Sequence, residues 1–337
     1  MGSVIPLKKS ANSAYLDLKN ILVHKLSKVE GLIEQKLKSD VVLIKEMCDH
    51  HIKSGGKRLR ALLTLGSAKL SGYDLGNRDV NLASCVELIH SATLLHDDVI
   101  DESSLRRGLK TTNSIWGNQS SILVGDYLLS RCFEIMVEDG DLEILKLLSS
   151  TSAKIAQGEV LQLQHKGEAD LLEDTYINII SLKTAALFSA ATKTGACLSG
   201  SNEKEKKALE SYGKNLGLAF QIADDALDYY SKEFIFGKEI GKDFFEGKST
   251  LPLIILFQRG NKEEREFLLE ILKKEKRNED DFSETLALIN KYKAIEASFK
   301  RAEYFVNVAY DSLGIFPESQ EKKILQNLTG FSLNRTF

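Results

Sequence analysis

The sequence predicts an all-α protein, and two observations carry this prediction. The 337 residues include three prolines, Pro6, Pro252 and Pro317, so no proline interrupts a helix between residues 7 and 251. Apolar residues recur at helical spacing over long stretches, whereas the alternation of apolar and polar residues that marks a strand is scarce. We therefore expect a bundle of helices.

Five segments show the helical pattern most clearly. In chain order they are Val80–Leu95, Ser121–Val137, Leu142–Leu163, Thr175–Leu198 and Leu209–Tyr230. Breaks are expected at Gly55-Gly56, Gly72–Asn77, Arg107–Asn118, Asp139–Asp141, Gly167–Asp170, Gly200–Asn202 and Gly237–Gly247. Each break is too short to be a domain linker, so we expect one domain over residues 1–337.

The composition argues against several classes of protein. With 45 Lys+Arg against 48 Asp+Glu, the net charge of −3 gives no footprint for nucleic acid. The four cysteines form no C-x-x-C pair, which favours a reducing compartment and a cytoplasmic protein. Residues 1–10 lack an apolar segment of signal-peptide length, and the purest apolar run, Leu251–Phe257, is too short to cross a membrane.

Two acidic clusters carry the candidate chemistry. Both have the spacing D-D-x-x-D, with the aspartates at Asp97, Asp98 and Asp101 and at Asp224, Asp225 and Asp228. On a helix the first and last aspartates of a cluster project from one face. One such cluster alone is more often a solvated helix face. Two clusters, each continuing a strongly apolar helix, favour a pair of anionic patches that face a shared cavity and bind cations.

The ligand type predicts the metal. Carboxylate oxygens without neighbouring thiols suit Mg²⁺, which is usually held by one or two carboxylates together with substrate phosphates and water. Two or three magnesium ions around one diphosphate would account for both clusters. This arrangement would ionise a diphosphate leaving group.

A basic set of residues predicts a second anion site. The segment Ser54–Arg60 places Lys57, Arg58 and Arg60 directly after two glycines, which let the backbone approach a ligand. Arg106 and Arg107 follow the first cluster, and guanidinium groups can bind phosphate oxygens through two hydrogen bonds. Each of these cations alone is more often a solvated side chain.

An ordered series of motifs connects these residues. It comprises Gly55-Gly56-Lys57-Arg58-x-Arg60, Glu87, His90, the first acidic cluster, Arg106-Arg107-Gly108, Gly125-Asp126, Gly158-Glu159, Lys183-Thr184, Gln221, the second acidic cluster, and Gly241-Lys242-Asp243 through Gly247-Lys248-x-Thr250-Leu-Pro252. The series spans about residues 50–255 and resembles the trans-isoprenyl diphosphate synthases, in particular their longer-chain polyprenyl branch.

The resemblance implies an isoprenoid synthase fold, in which one large helical bundle surrounds a central cavity, and a homodimer. It also implies two substrates, isopentenyl diphosphate and an allylic diphosphate. The implied isopentenyl diphosphate residues are Lys57, Arg60, His90 and Arg107. The implied allylic diphosphate residues are Arg106, Lys183, Thr184, Gln221, Lys242 and Lys248. Magnesium would be bound by Asp97, Asp101 and Asp224, with Asp98, Asp225 and Asp228 in support.

The reaction implied is the addition of isopentenyl units to a farnesyl or geranylgeranyl type of primer, with no protein nucleophile. A class I terpene cyclase is a rival, but its second metal motif would need Ser or Thr where Asp228 stands and Glu where Lys232 stands. A non-catalytic partner subunit is a second rival; such subunits typically lack the aspartate motifs.

Product length should depend on the helix that carries Asp97. Ala92 and Thr93 lie one turn before the cluster, where the resembling short-chain enzymes carry a bulky aromatic residue, and Ile89 lies two turns before it. An open tunnel predicts a product of about forty carbons, at roughly one isoprene unit per helical turn, for use as a quinone side chain. A shorter product of about twenty to twenty-five carbons is the alternative. We expect Phe133, with Met136 nearby, to close the tunnel, and a product this apolar to need transient membrane contact for release.

Overall fold

The computed structural model describes residues 7–74, 76–230, 240–331 and 333. In this part of the chain the backbone forms seventeen α-helices and one short β-hairpin. The first helices are α1 (Leu7–Ile21), α2 (Val23–Lys36), α3 (Val42–Lys53), α4 (Leu59–Leu70), α5 (Arg78–Ile100), α6 (Thr112–Trp116), α7 (Asn118–Asp139), α8 (Leu142–Gln164), α9 (Glu173–Ile180) and α10 (Ala186–Leu198). The later helices are α11 (Glu203–Asp228), α12 (Lys242–Glu246), α13 (Leu251–Arg259), α14 (Lys262–Leu272), α15 (Glu279–Lys291), α16 (Ala294–Ser312) and α17 (Gln320–Leu328). The prediction of an all-α fold is confirmed.

Local sequence signals set several helix ends. At the predicted break at 139–141, Gly140 ends α7 in the left-handed conformation with φ 73°, and the Asp141 side chain accepts hydrogen bonds from the first turn of α8. At 200–202, Asn202 and Glu205 form a capping box, so α11 begins six residues before the predicted start at Leu209. The part of the predicted Gly237–Gly247 break before residue 240 lies outside the described residues.

Two other segments differ from the sequence prediction. The predicted break at 107–118 contains α6, and an antiparallel pair, β1 (Leu105–Arg106) and β2 (Leu109–Lys110), joins α5 to it. The predicted helix Thr175–Leu198 is divided into α9 and α10 by one π-helical turn at Ser181–Ala185. A π-turn adds a residue to the helical repeat and often marks a functional position.

The two helices that carry the acidic clusters lie at the centre of the packing. Helix α5 packs against α7 and α4, and α11 packs against α10 and α16. Two clusters of buried apolar side chains form the core, and α11 contributes Leu216 to one and Ile222 to the other. Burial of each Leu or Ile contributes about 1.5–3 kcal/mol, so both aspartate helices are held firmly. We propose that both apolar clusters belong to one domain, because α11 contributes side chains to each of them.

Two further predictions concern cysteines and membranes. All four cysteines, Cys48, Cys85, Cys132 and Cys197, are buried free thiols. Within the described ranges, no helix combines the length and the apolar character that a membrane crossing requires.

Candidate active site

The middle aspartate of each acidic cluster is held by protein groups. Asp98 is 3% exposed and accepts hydrogen bonds from Arg106, with Nε at 2.9 Å and Nη2 at 2.8 Å from Oδ1. Asp225 is 4% exposed and accepts from the Tyr176 hydroxyl at 2.6 Å and from the Gln221 amide at 2.7 Å. Burial raises the pKa of Asp225 well above its usual range. Both middle aspartates are therefore buried and already accept hydrogen bonds from neighbouring side chains.

The outer aspartates of the first cluster face cations and other carboxylates. Burial raises the pKa of Asp97 to about 6; the Lys183 ammonium opposes this rise, and Glu159 and Asp101 add to it. Asp101 lies 2.9 Å from Lys248 Nζ. Burial alone would raise the pKa of Asp101, but Lys248 brings it below its usual value.

Asp243 connects the two clusters. Burial raises its pKa to about 6, Lys248 opposes that rise, and the carboxylates of Asp224 and Asp101 add repulsion. Because Asp101 belongs to the first cluster and Asp224 to the second, the two clusters face the same space. The sequence interpretation included Asp243 in a motif but gave it no role. Its position between the two acidic clusters became visible only in the folded chain.

Asp228, the last aspartate of the second cluster, contacts the backbone at the start of α12. One oxygen of Asp228 accepts the backbone N–H of Asp243 at 2.9 Å, and its carbonyl accepts from Gly241 at 2.9 Å. Asp228 therefore secures the first turn of α12, where Lys242 and Asp243 lie. Its predicted role in support of magnesium stays a prediction.

The carboxylates at this site are crowded in a way that suits a divalent cation. Buried like charges repel one another strongly, and oxygen ligands match the preference of Mg²⁺. Within the described part of the chain, no three carboxylate, histidine or thiol groups are close enough to form a complete ion site alone. Asp97, Asp101 and Asp224 therefore stay the predicted magnesium residues, and an ion at any of them would need further ligands, such as diphosphate oxygens and water.

The π-turn presents two polar residues predicted for the allylic substrate. Lys183 Nζ lies 2.6 Å from a Glu159 carboxylate oxygen and donates to the Gln162 side chain at 2.8 Å. Thr184 Oγ1 donates to Gln221 Oε1 at 2.8 Å. The Gln221 amide then donates to Asp225, so Thr184 and the second acidic cluster belong to one hydrogen-bond chain.

The other predicted allylic cations lie at the same site. Lys248 contacts Asp101 and, at 2.7 Å, Glu246. Burial opposes the charge of Lys248, but these carboxylates together with Asp243 raise its pKa. Lys242 Nζ donates to Ser103 Oγ at 2.7 Å, which connects α12 to the segment after the first cluster. The structure therefore brings Arg106, Lys183, Thr184, Gln221, Lys242 and Lys248 next to the aspartates.

The predicted isopentenyl diphosphate residues form a neighbouring cationic cluster. Arg107 donates to the Gly55 carbonyl, and a Cβ at Gly56 would lie only 2.9 Å from Arg107 Nη1. Burial lowers the pKa of His90 well below its usual value, and Arg60 and Arg107 are among the cations that lower it further. Arg60 and Arg107 therefore act electrostatically on His90, and Arg107 contacts the loop that carries Lys57.

The sequence interpretation missed His51. Burial lowers its pKa to about 4, and the guanidinium groups of Arg106, Arg58 and Arg107 contribute. His51 occupies the last turn of α3, just before the glycine pair. His51 follows His50 in the same helix, and this pair has no spacing by which the sequence could assign His51 to the cluster.

The predicted tunnel residues differ in their placement. Ala92 and Ile89 are 0% and 1% exposed, and Thr93 donates to the His90 carbonyl at 2.8 Å. Phe133 is 46% exposed on the outer face of α7, whereas Met136 is 2% exposed. Closure of the tunnel by Phe133 therefore stays a prediction, and the exposure of this side chain in the single chain does not support it.

A surface groove of about 800 Å³ lies elsewhere, between α8, α9, α10 and α11. Thr151, Ser181, Ser211 and Phe305 are among its lining residues. None of the predicted site residues lines it. The candidate chemistry therefore belongs to the acidic and cationic clusters and not to this groove.

Comparison with known proteins gives a consistent result. The family model described as "Polyprenyl synthetase" matches residues 41–289. The chain is 37% identical over 312 residues to an octaprenyl diphosphate synthase of Haemophilus influenzae, which covers 93% of this chain and 94% of that one. It superposes on a decaprenyl diphosphate synthase from Rhodobacter capsulatus with TM-score 0.91 and 40% identity, covering 96% and 99% of the two chains. A polyprenyl synthase from Caulobacter crescentus, complexed with calcium and isoprenyl diphosphate, gives TM-score 0.91 and 41% identity, with 95% and 98% covered.

Proposed function

The chain belongs to the polyprenyl synthetase family and has the isoprenoid synthase fold, and from that premise we propose that it is a prenyltransferase that adds isopentenyl diphosphate to an allylic diphosphate. One observation carries the proposal: Asp243 connects the two acidic clusters. Its backbone N–H donates to Asp228 of the second cluster at 2.9 Å, and its carbonyl accepts from the backbone N–H of Lys248, whose Nζ lies 2.9 Å from Asp101 of the first cluster. A site with two facing clusters and flanking cations is suited to a diphosphate leaving group.

The allylic diphosphate would occupy the space between the acidic clusters. In this proposal Asp97, Asp101 and Asp224 hold two or three magnesium ions, and when bound these ions neutralise charge on the departing pyrophosphate. Arg106, Lys183, Thr184, Gln221, Lys242 and Lys248 would bind phosphate oxygens. Several of these cations now pair with carboxylates, so the incoming diphosphate and metal would exchange partners with them.

Isopentenyl diphosphate would bind at the cationic cluster of Lys57, Arg60, His90 and Arg107. Its diphosphate needs no metal in this arrangement because guanidinium and ammonium groups supply the countercharge. His51 adds a further polar group beside Arg107. The two diphosphate sites adjoin each other, since Arg106 and Arg107 are neighbours in the chain.

The chemistry requires the protein to bind and orient two substrates and to exclude water. The carbon–oxygen bond of the allylic diphosphate breaks with its electron pair on pyrophosphate, and the double bond of isopentenyl diphosphate attacks the allylic carbon. Loss of a proton then regenerates an allylic diphosphate one unit longer. The sequence shows no obvious catalytic Ser, Cys or Glu pair that would act as the base. We therefore assign this proton to pyrophosphate or a solvent-like group.

We propose a long product of about forty carbons, with the tail running from the aspartates along α5 at roughly one isoprene unit per helical turn. This length is supported by the small side chains of Ala92 and Thr93, since neither position carries an aromatic ring. The name octaprenyl diphosphate synthase, carried by the Haemophilus relative, also supports it. A product of about twenty to twenty-five carbons is the alternative. We propose use as a quinone side chain for the longer product only.

A homodimer is the second part of the proposal. Leu123, Phe133 and Val137 are 61%, 46% and 68% exposed along α7, and Val160 and Leu163 are 65% and 47% exposed on α8. Exposed apolar stripes of this kind are typical of an interface, and a second copy of the chain is the occupant that the family resemblance implies. Sedimentation of the wild-type protein as a monomer would contradict it.

Location and release complete the proposal. Four buried free thiols agree with a reducing compartment, and we propose the cytoplasm. A long polyprenyl chain leaves water readily, so product release would involve transient contact with a membrane surface.

The aspartates provide the test. Asp97→Ala and Asp224→Ala should each lower turnover by at least about a hundredfold, comparable to removal of one preorganised electrostatic stabiliser. Asp170→Ala, at a charged position outside both clusters, is the matched control and should retain turnover. Near-normal turnover of the Asp224 variant would contradict the assignment.

A further inference from the structure

The cations proposed to bind isopentenyl diphosphate lie on aromatic rings. Lys57 Nζ is 4.5 Å from the ring centroid of Phe331 and 5.9 Å from that of Tyr15. The Arg60 guanidinium is 4.6 Å from the ring centroid of Phe188. A cation within about 6 Å of an aromatic face is attracted by the negative face of the ring.

The support under Lys57 is built from two distant parts of the chain. Tyr15 lies on α1, and Phe331 lies in the 3₁₀ turn Thr329–Phe331. Their rings stack at 5.3 Å with an interplanar angle of 22°. The Tyr15 hydroxyl also donates to the Lys57 carbonyl at 3.0 Å, so this residue contacts both the backbone and the side chain of Lys57.

This support addresses a specific weakness of the loop. Lys57 follows two glycines, and Gly55 has φ 69°, so the local backbone is intrinsically permissive. A lysine side chain also loses considerable rotamer entropy when it is fixed on a ligand. Rings that hold the ammonium and a hydrogen bond that holds the backbone reduce both costs before the substrate arrives.

The support under Arg60 is part of the core. Phe188 is 0% exposed on α10, and its ring lies 5.3 Å from that of Phe220 on α11. Phe220 directly precedes Gln221, which is assigned to the allylic substrate. The ring beneath Arg60 therefore has a fixed position relative to both substrate sites.

A ring differs from a carboxylate in how it holds a cation. Lys248 lies against the carboxylates of Asp101 and Glu246, whose charges compete with an incoming diphosphate. A ring carries no net charge, so it can orient a cation without adding a negative charge that competes with the diphosphate.

We propose that Phe331, Tyr15 and Phe188 are positioning residues for isopentenyl diphosphate, with Phe331 and Tyr15 holding Lys57 and Phe188 holding Arg60. This inference rests on the proposed function. It assigns a binding role to α1 and to the turn at 329–331, which lie outside the motif-bearing part of the sequence.

The test separates substrate binding from folding. Phe331→Leu should raise the KM for isopentenyl diphosphate about two- to fivefold, with kcat and the KM for the allylic substrate unchanged. Tyr15→Phe keeps the ring and should remain within about twofold of wild type, whereas Tyr15→Leu should behave like Phe331→Leu. Phe316→Leu removes another buried ring of the same region and is the matched control, with an unchanged KM.

A double-mutant cycle distinguishes positioning from a general structural effect. In a Lys57→Met background, Phe331→Leu should have no further effect on the KM for isopentenyl diphosphate. An equal effect with and without Lys57 would overturn the inference, as would an unchanged or lowered KM in the single variant.

A binding measurement keeps this inference separate from the proposed function. Calorimetric titration with inorganic pyrophosphate should show a Kd about two- to fivefold higher for Phe331→Leu than for Phe316→Leu. If the two variants differ in their Kd for pyrophosphate as expected, but wild type incorporates no isopentenyl units, the proposed function fails and the positioning role stands. If condensation proceeds and the two variants bind equally, the positioning role fails alone.

Discussion

The close contact between α8 and the π-turn provides a sharp test of the site. A Cβ added at Gly158 would lie 2.6 Å from the backbone nitrogen of Lys183 and 2.8 Å from Leu182 Cβ. Comfortable contacts between such atoms require about 3.5–4.0 Å, so Gly158→Ala must separate the two segments by roughly 1 Å. Backbone atoms cannot relieve this contact by changing rotamer. The displacement would move Lys183 and Thr184 relative to the acidic clusters.

The magnitude follows from this displacement. Overpacking of this kind costs about 1–3 kcal/mol. With an unfolding entropy of about 2.1 cal/mol/K per residue, that cost lowers the Tm of this 337-residue chain by roughly 1–4 °C. A misplacement of about 1 Å in a positioning group can cost about a hundredfold in rate. We therefore expect kcat with the allylic substrate to fall by one to two orders of magnitude, a range set by how much of the displacement reaches Lys183.

The matched control is Gly31→Ala. Gly31 lies inside α2, and no atom would come within 4 Å of its new Cβ. This variant should gain about 0.5–1 kcal/mol from the better helix propensity of alanine, with unchanged kcat. Steady-state kinetics and calorimetric unfolding of both variants give the comparison. Wild-type kcat and Tm for Gly158→Ala would refute the described contact between α8 and the π-turn.

Three further predictions concern substrate selectivity, product length and pH. Arg60→Ala should raise the KM for isopentenyl diphosphate at least tenfold more than the KM for the primer, because it removes about one hydrogen bond from a charged group. Equal increases in both KM values would mean that the two sites are misassigned. Ala92→Phe should shift the products toward shorter chains while the first condensation continues; an unchanged product by mass spectrometry would show that the tail does not pass this residue. Because the pKa of His51 is about 4 in the folded chain and near 6.5 when unfolded, the unfolded chain takes up a proton as the pH falls through this window, and stability is lost. Wild type should therefore lose about 1–2 kcal/mol more unfolding free energy than His51→Gln between pH 7 and pH 5 in urea titrations, and equal losses would place His51 in an ordinary environment.

The sequence predicted those parts of the fold and site that depend on local pattern. Proline scarcity and helical spacing predicted α5, α7, α8 and α11, because amphipathic periodicity is a property of neighbouring residues. The D-D-x-x-D spacing predicted that the outer aspartates share a helix face. The start of α11 was misplaced because its first turns are charged, although Asn202 and Glu205 carry the capping signal.

The sequence could not predict features that depend on contacts between distant segments. Asp224 and Asp225 are adjacent and identical in type, yet the Tyr176 hydroxyl, 49 residues away, engages Asp225. The π-turn has no sequence period of its own, so Lys183 and Thr184 were read as part of one regular helix. Phe133 was expected at the end of the tunnel because it lies on the helix that follows Gly125-Asp126, yet in the single chain it is exposed, as Val137 on the same helix is.

The most direct measurement is the mass of the products formed from labelled isopentenyl diphosphate and farnesyl diphosphate, with Mg²⁺ and with excess EDTA. The account predicts label in prenyl diphosphates longer than the primer by whole isoprene units when Mg²⁺ is present, with the largest product near forty carbons at roughly one unit per helical turn of tunnel. It predicts no extension in EDTA and recovery when Mg²⁺ is restored. Cyclised or hydrolysed primer without incorporated label, or full extension in metal-free enzyme, would contradict it.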